Sequence, residues 1–263
     1  MTALKSTIKS ILKQGRDGTR AAMARAGVGR PPRFAGAWPD RAGVLAALDA
    51  SEVKGYDDPG VAEVSFPQMC RREVWDYPVI LWLDRWLAGG GRVLDAGGHM
   101  GTKFMAFREV LDLGAARWTV YDMPGIVTAA RARQAEGVVP AEVGFVDDIA
   151  DLPATDILLA SGLLQYLDLP LAALLQALPV PPAHVILNKV ALRDGPAVFT
   201  AERIGPTRVP YQIRSRDTFE AELAALGYRI ADRWQIHDLG HVIPTHPQLG
   251  RSESWGFALT QDR

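Results

Sequence analysis

The stretch Arg92-Val-Leu-Asp-Ala-Gly-Gly-His-Met-Gly-Thr102 limits what this chain can fold into more than any other. A short apolar run, an acid and a glycine cluster lead straight into a segment of helical character. A strand, a tight turn and a helix N-terminus therefore fit within about ten residues. Such a turn gathers backbone N–H groups and the positive end of a helix dipole at one point. Its glycines permit φ > 0 and let a ligand approach the backbone closely. A nucleotide-type cofactor is the natural guest.

The surroundings of that turn fix the fold class. Strands are predicted at 92–95, 117–121, 142–146, 155–160 and 184–190, and helices near 101–112, 124–136 and 168–178. Alternation of this kind calls for a mostly parallel sheet with helices on both faces. After residue 190 the pattern reads as a loop through Arg193-Asp-Gly-Pro, then a helix at 216–226. Two closing strands follow at 228–236 and 253–260, making a seven-stranded sheet. A long loop between them holds His237, His241 and His246.

Upstream, residues 1–33 read as a basic helical extension. Residues 2–26 place Leu4, Ile8, Ile11 and Leu12 on one face, and eight basic side chains oppose Asp17 alone up to Arg33. Two readings stay open: a helix that docks on a membrane surface or partner through residues 1–30, or a loosely packed, solvated extension. The formal net charge is −1, so the rest of the chain is acidic, which argues against a nucleic-acid surface there. Residues 34–90 read as a helical cap, either a lid over a site or a purely structural cover. It comprises a short helix capped by Asp40, the turn Gly55-Tyr-Asp-Asp-Pro-Gly60, and a second helix over much of 60–88. That second helix is expected to break near Pro78 and to be anchored by Trp75, Leu81, Trp82 and Trp86. Residues 91–263 form the main domain. The single cysteine, Cys70, allows no intrachain disulfide and suits a cytoplasmic protein. No apolar run reaches the length of a membrane span, and the N-terminus lacks the apolar stretch of a secretory leader.

In an open α/β sheet, ligands sit beyond the carboxyl ends of the strands near the topological switch. The residues found there are Asp95, Gly97, Gly98, His99 and Gly101, then Asp122 and Met123, then Asp147 and Asp148, then Ser161, Gln165 and Tyr166. A carboxylate ending the second strand can accept both hydroxyls of a ribose, and one after the third can reach an adenine amino group. Neighbouring residues at a strand end point opposite ways, so one of Asp147 and Asp148 faces a ligand and the other solvent.

This order resembles class I S-adenosylmethionine-dependent methyltransferases, with their Rossmann-like fold. The resemblance implies S-adenosyl-L-methionine as cofactor, with Asp95 on its amino-acid part, Gly97, Gly98 and Gly101 in the turn, and Asp122 on the ribose beside Met123. Asp147 or Asp148 then serves the adenine, and Ser161 completes the set. A narrower resemblance runs over most of 34–260, through Gly55-Tyr-Asp, Trp118-Thr-Val-Tyr-Asp-Met-Pro, Ser161-Gly-Leu-Leu-Gln-Tyr-Leu and Gly227-Tyr-Arg-Ile. It is to a methyltransferase family met among bacterial surface-polysaccharide genes. That family's substrates are generally unassigned, and the resemblance leans toward a small polar acceptor such as a sugar hydroxyl. With the single cysteine and the basic extension, the expectation is a cytoplasmic enzyme, free or peripheral to the inner membrane.

Where the widespread motif has a middle glycine, this chain has His99. It is a candidate base, with a loop hydrogen bond as the alternative. Tyr166 is a candidate substrate contact or proton relay, His241 a candidate substrate-facing group, and Lys189 reads as an edge charge. The three loop histidines lack a carboxylate signature, so no metal site is assigned. A nicotinamide-dependent dehydrogenase fits poorly, since Gly97-Gly98-His-Met-Gly101 matches neither of its glycine patterns and no Tyr-x-x-x-Lys occurs. A non-catalytic binding or assembly protein on the same fold is the other reading.

Overall fold

The computed structural model describes residues 18–19, 21–26, 29, 31–49, 66–167, 169–205 and 207–261. Most of the expected basic helix, and the turn carrying Tyr56, lie outside these residues. In chain order the elements are β1 (Phe34–Trp38), α1 (Arg41–Ala47), α2 (Tyr77–Trp86), β2 (Gly91–Ala96), α3 (Thr102–Phe107), β3 (Ala116–Tyr121), α4 (Pro124–Ala135) and β4 (Val143–Val146). There follow β5 (Ile157–Ser161), α5 (Leu171–Ala177), β6 (His184–Arg193), β7 (Val198–Ile204), β8 (Thr207–Ser215), α6 (Arg216–Ala225), β9 (Tyr228–Gln235) and β10 (Glu253–Gln261).

The main sheet runs β4-β3-β2-β5-β6-β10-β9. Of these seven strands only β10 is reversed, pairing antiparallel with both β6 and β9. The strand order turns at β2 and β5, both of which leave the sheet at the same end, so the crevice for a ligand opens there. Period-two alternation divides the strand side chains between two cores. Val93, Ile157, Leu159 and Ile186 face one core with α2, α3 and α4. Leu94, Ala96, Leu158, Ala160, Val185 and Leu187 face the other, against α5 and α6. Burial on both faces is why these strands are nearly continuous apolar runs.

Every element expected between residues 91 and 193 forms, within a few residues of its anticipated bounds except for the shorter α3. Asp40 caps α1 through Gly43 N at 2.7 Å. Two differences stand out. Pro78 does not break a helix but opens α2, where its missing N–H is an orphan in any case. Val79 and Leu83 are the buried anchors of α2, while Leu81 points outward, half exposed.

The second difference is larger. The segment expected to be a loop after Arg193 is the antiparallel pair β7–β8, and β1 pairs with β7, so the 34–90 cap opens with a strand. This three-stranded ribbon joins the main sheet where β8 pairs with Leu192 and Arg193, beyond the point at which β5 leaves β6. Charged Glu202 and Arg208 and the strand-disfavouring Pro210 hide the pattern in sequence. Pro210 is tolerated because β8 pairs only with β7 at that level, so no ladder bond needs its N–H. A small third core of Phe34, Ala191, Val198, Tyr211, Ile213 and Ile243 sits under the ribbon. Among the described residues no helix is long and apolar enough to cross a membrane.

Candidate active site

A cavity of about 650 Å³ opens at the carboxyl ends of β2, β3, β5 and β6 and extends to the ribbon. Its first part is built by the glycine turn. Gly97 (φ +71°) and Gly101 (φ +75°) are left-handed. A Cβ on Gly97 would lie 2.9 Å from Leu163, and one on Gly98 would lie 2.5 Å from the Asp95 carboxyl. His99 is also left-handed, at φ +56°, which explains why glycine is the easier residue there. Its amide donates to Asp122 Oδ2 at 2.8 Å, and the Met123 amide donates to Oδ1 at 2.8 Å. Asp122 thus clamps the turn to the end of β3 while lining the cavity.

Asp147 lines the same part, and Asp148 turns away to cap a short helical turn through Ala150 N at 2.8 Å. Of that pair, Asp147 is the cavity-facing residue. Gly97, His99, Met123 and Ser161 also line the cavity. Asp95 does not. It is 1% exposed, lies behind Gly98, and accepts from Trp118 Nε1 at 3.3 Å. Burial pushes its carboxyl up to about 7, against the opposing pull of Lys103 and Trp118. Gly98 and Gly101 shape the turn without lining the cavity.

The second part lies against the ribbon. Tyr166 and Gln165, in the loop after β5, reach it because Gln212 N of β8 donates to Gln165 O at 2.8 Å. The Tyr166 hydroxyl donates to Glu202 Oε2 at 2.6 Å. Glu202, 1% exposed, accepts Arg33 Nε on Oε1 at 2.8 Å. Tyr211 meets Tyr166 edge-on at 5.4 Å, and Phe34 stacks at a tilt on His241 at 4.6 Å. His241 is held down to about 4 by burial and by Arg33 and Arg251, so its imidazole is neutral at pH 7. His246 instead lies beside Thr245, 2.9 Å from Oγ1. Among the described residues no three His, Cys, Asp or Glu side chains form a metal-sized cluster.

His99, Tyr166 and His241 therefore line one cavity with Asp122, Asp147 and Ser161. Sequence reasoning missed Glu202, Arg33 and Tyr211, whose only signal was residue type, and read Trp75 as a helix anchor, whereas it lies in the turn before α2 and lines the cavity. It also misread Lys189, which lines the cavity rather than an edge.

No family model and no curated protein matches the chain. Solved structures do. A Listeria monocytogenes protein provisionally assigned as an S-adenosylmethionine-dependent methyltransferase is 13% identical, over 73% of this chain and 100% of that one, with a TM-score of 0.50. The chain has a Rossmann-like methyltransferase fold. Burkholderia thailandensis 1,6-didemethyltoxoflavin-N1-methyltransferase, solved with its acceptor and S-adenosylhomocysteine, is 21% identical over 82% of this chain and 94% of that one (TM-score 0.49). An O-methyltransferase of neocarzinostatin biosynthesis, solved with S-adenosylhomocysteine and 1,4-dihydroxy-2-naphthoic acid, is 21% identical over 78% and 59% (TM-score 0.49). At such identities the likeness is one of fold.

Proposed function

We propose that the protein is an S-adenosyl-L-methionine-dependent methyltransferase acting on a small polar acceptor, a saccharide hydroxyl in surface-polysaccharide assembly. The observation that carries this is the Asp122 clamp. A carboxylate at the end of β3 is tied to the glycine turn and faces a cavity at the switch between β2 and β5. The residues fit such a cofactor. Gly97 offers backbone without bulk, Asp122 offers a ribose-binding acid, and Asp147 offers an acid on the adenine side. Bound there, the cofactor would supply an electrophilic methyl group.

The chain's own task is to hold the acceptor and manage its proton. His241, kept neutral by burial, can accept a hydrogen bond from an acceptor hydroxyl, and Tyr166, oriented by Glu202, can hold an acceptor oxygen. His99 remains the third candidate, on the cofactor side. The saccharide rests on the sequence resemblance. A cytoplasmic site of action rests on the single cysteine, and contact of residues 1–30 with a membrane or protein partner rests on the basic, amphipathic pattern of that segment.

Isothermal titration with S-adenosylhomocysteine tests the reading. Micromolar binding by the native protein, weakened at least about tenfold in Asp122→Ala, is expected from losing a charged hydrogen-bond acceptor. No binding of S-adenosylhomocysteine, with NAD(H) tried in parallel, would move the weight to a non-catalytic binding protein.

A further inference from the structure

Lys189 occupies a backbone position that a side chain rarely takes. Its φ is +61°, in the left-handed region. It sits in a β-bulge: Val190 opposes Trp255 and Leu187 opposes Phe257, so Asn188 and Lys189 together face Gly256. The bulge is firmly built. Asn188 donates to Trp75 O and Ser161 Oγ, each at 3.3 Å, and accepts from Trp234 Nε1 at 3.2 Å. A bulge re-aims the side chain it carries, and here Lys189 lines the cavity, its Nζ 3.9 Å from where a Cβ on Gly162 would stand.

Among the described residues, no acceptor hydrogen-bonds or ion-pairs with the Lys189 ammonium. The nearby Asp76 is spent on Lys103, at 2.7 and 2.9 Å. Burial and the Lys103 charge push the Lys189 ammonium down to about 8 against the opposing pull of Asp76, Glu73 and Asp95, so the cation is poorly solvated and, among the described residues, bonded to none of these acids. The rest of the lining agrees. Arg41 shares the cavity with Lys189, as does Arg33, whose charge is taken up by Glu202, and the lining carboxylates among the described residues are Asp122 and Asp147 at the far strands. Trp75 Nε1, an N–H donor on a lining residue, is buried without a hydrogen-bond partner.

We propose that the β6–β8 end of the cavity is an anion-recognition site, in which Lys189 takes the carboxylate or phosphate of a negatively charged acceptor. The word acceptor rests on the methyl-transfer reading; the anion site does not. A saccharide occupant would then be acidic or phosphorylated, with its charge fixed at Lys189 and its ring against Tyr166 and Tyr211. A charge-assisted contact in a half-dry cavity discriminates strongly against an uncharged analogue, because the unpaired ammonium would stay unpaired.

The test is calorimetric titration of the full chain and of Lys189→Met with D-glucuronate, D-glucose 1-phosphate, benzoate and uncharged D-glucose, each with and without S-adenosylhomocysteine. The expected result is that glucuronate or glucose 1-phosphate binds and glucose does not. Binding should fall at least about tenfold in Lys189→Met, with S-adenosylhomocysteine affinity unchanged. Which anion binds separates a carboxylate from a phosphate source. Benzoate binding alone supports the anion site and removes the saccharide. Anion binding without any S-adenosylhomocysteine binding supports the site and sinks the methyl-transfer reading. Glucose binding as well as the anions, anion binding that survives in Lys189→Met, or no anion bound up to about 10 mM overturns the proposal. So does a loss of S-adenosylhomocysteine binding in the variant, which would assign Lys189 to the cofactor. Should the variant not fold, the preference of the native chain for anion over glucose decides alone.

Discussion

The Tyr166 hydroxyl donates to Glu202 at 2.6 Å, tying the loop after β5 to a ribbon strand 36 residues away. Arg33 holds the other oxygen of the same buried carboxylate. One acid thus orients the Tyr166 ring at the cavity and anchors the chain just ahead of β1.

Glu202→Gln should destabilise the fold, since it leaves a neutral amide where two donors meet a carboxylate. Arg33 is 60% exposed and can rehydrate. The loss should therefore be about 1–2 kcal/mol rather than the larger cost of breaking a fully buried pair. Tyr166→Phe keeps the Arg33 pair and should cost about 1 kcal/mol. Urea unfolding of both variants checks the order; a larger loss in Tyr166→Phe would contradict it.

His99→Gly should raise stability by up to about 1 kcal/mol, because glycine adopts φ > 0 without penalty. His99→Val should lower it, since a branched Cβ resists that conformation. Asp122 still accepts the residue-99 amide in both, so S-adenosylhomocysteine affinity should hold in the glycine variant. Thermal melts beside titration read both effects.

Two buried groups set opposite pH slopes. Asp95 rises from 3.8 to about 7 on folding, so the native state holds its proton where the unfolded chain has lost it. Stability therefore falls as pH climbs from about 4 to about 7 and levels above that. Asp95→Asn should remove this slope and melt higher than the native chain at pH 8. His241 falls from 6.5 to about 4, so the unfolded chain binds the extra proton between those values. Its contribution is present above pH 6.5 and is lost as pH drops toward 4. His241→Asn should flatten that limb. Melting temperatures from pH 4 to 8 test both, and unchanged profiles would refute the burial argument.

The bulge at Lys189 depends on residues outside the cavity. A Cβ on Gly256 would lie 2.0 Å from Trp234 Cε2, and Trp234 holds Asn188. Gly256→Ala should cost about 2 kcal/mol through overpacking. Asn188→Leu should cost about as much by stranding the Trp75 carbonyl and the Trp234 N–H. In both variants anion binding should weaken more than S-adenosylhomocysteine binding. Equal loss of both would show that the bulge serves the whole sheet.

What the amino-acid sequence determined by itself is the central α/β unit. The turn from Asp95 to Gly101, the apolar strands beside it and the carboxylate of Asp122 are written locally, since neighbours in sequence satisfy each other there. Burial on both faces makes those strands legible as apolar runs, and a left-handed turn announces itself through glycine. The choice between Asp147 and Asp148 needed only the cap on Ala150.

The ribbon and the far half of the cavity were decided by tertiary structure. β7 and β8 carry charges and a proline that mark a loop in isolation, and they become strands because β1, β7 and β8 pair and cover a small core of their own. Glu202 acquires its meaning only when that pairing brings it to Arg33 and Tyr166. Lys189 reads as an edge charge until the unequal pairing of β6 with β10 turns it inward. A side chain's direction at a bulge depends on the partner strand, and that partner, β10, lies more than sixty residues farther along the chain.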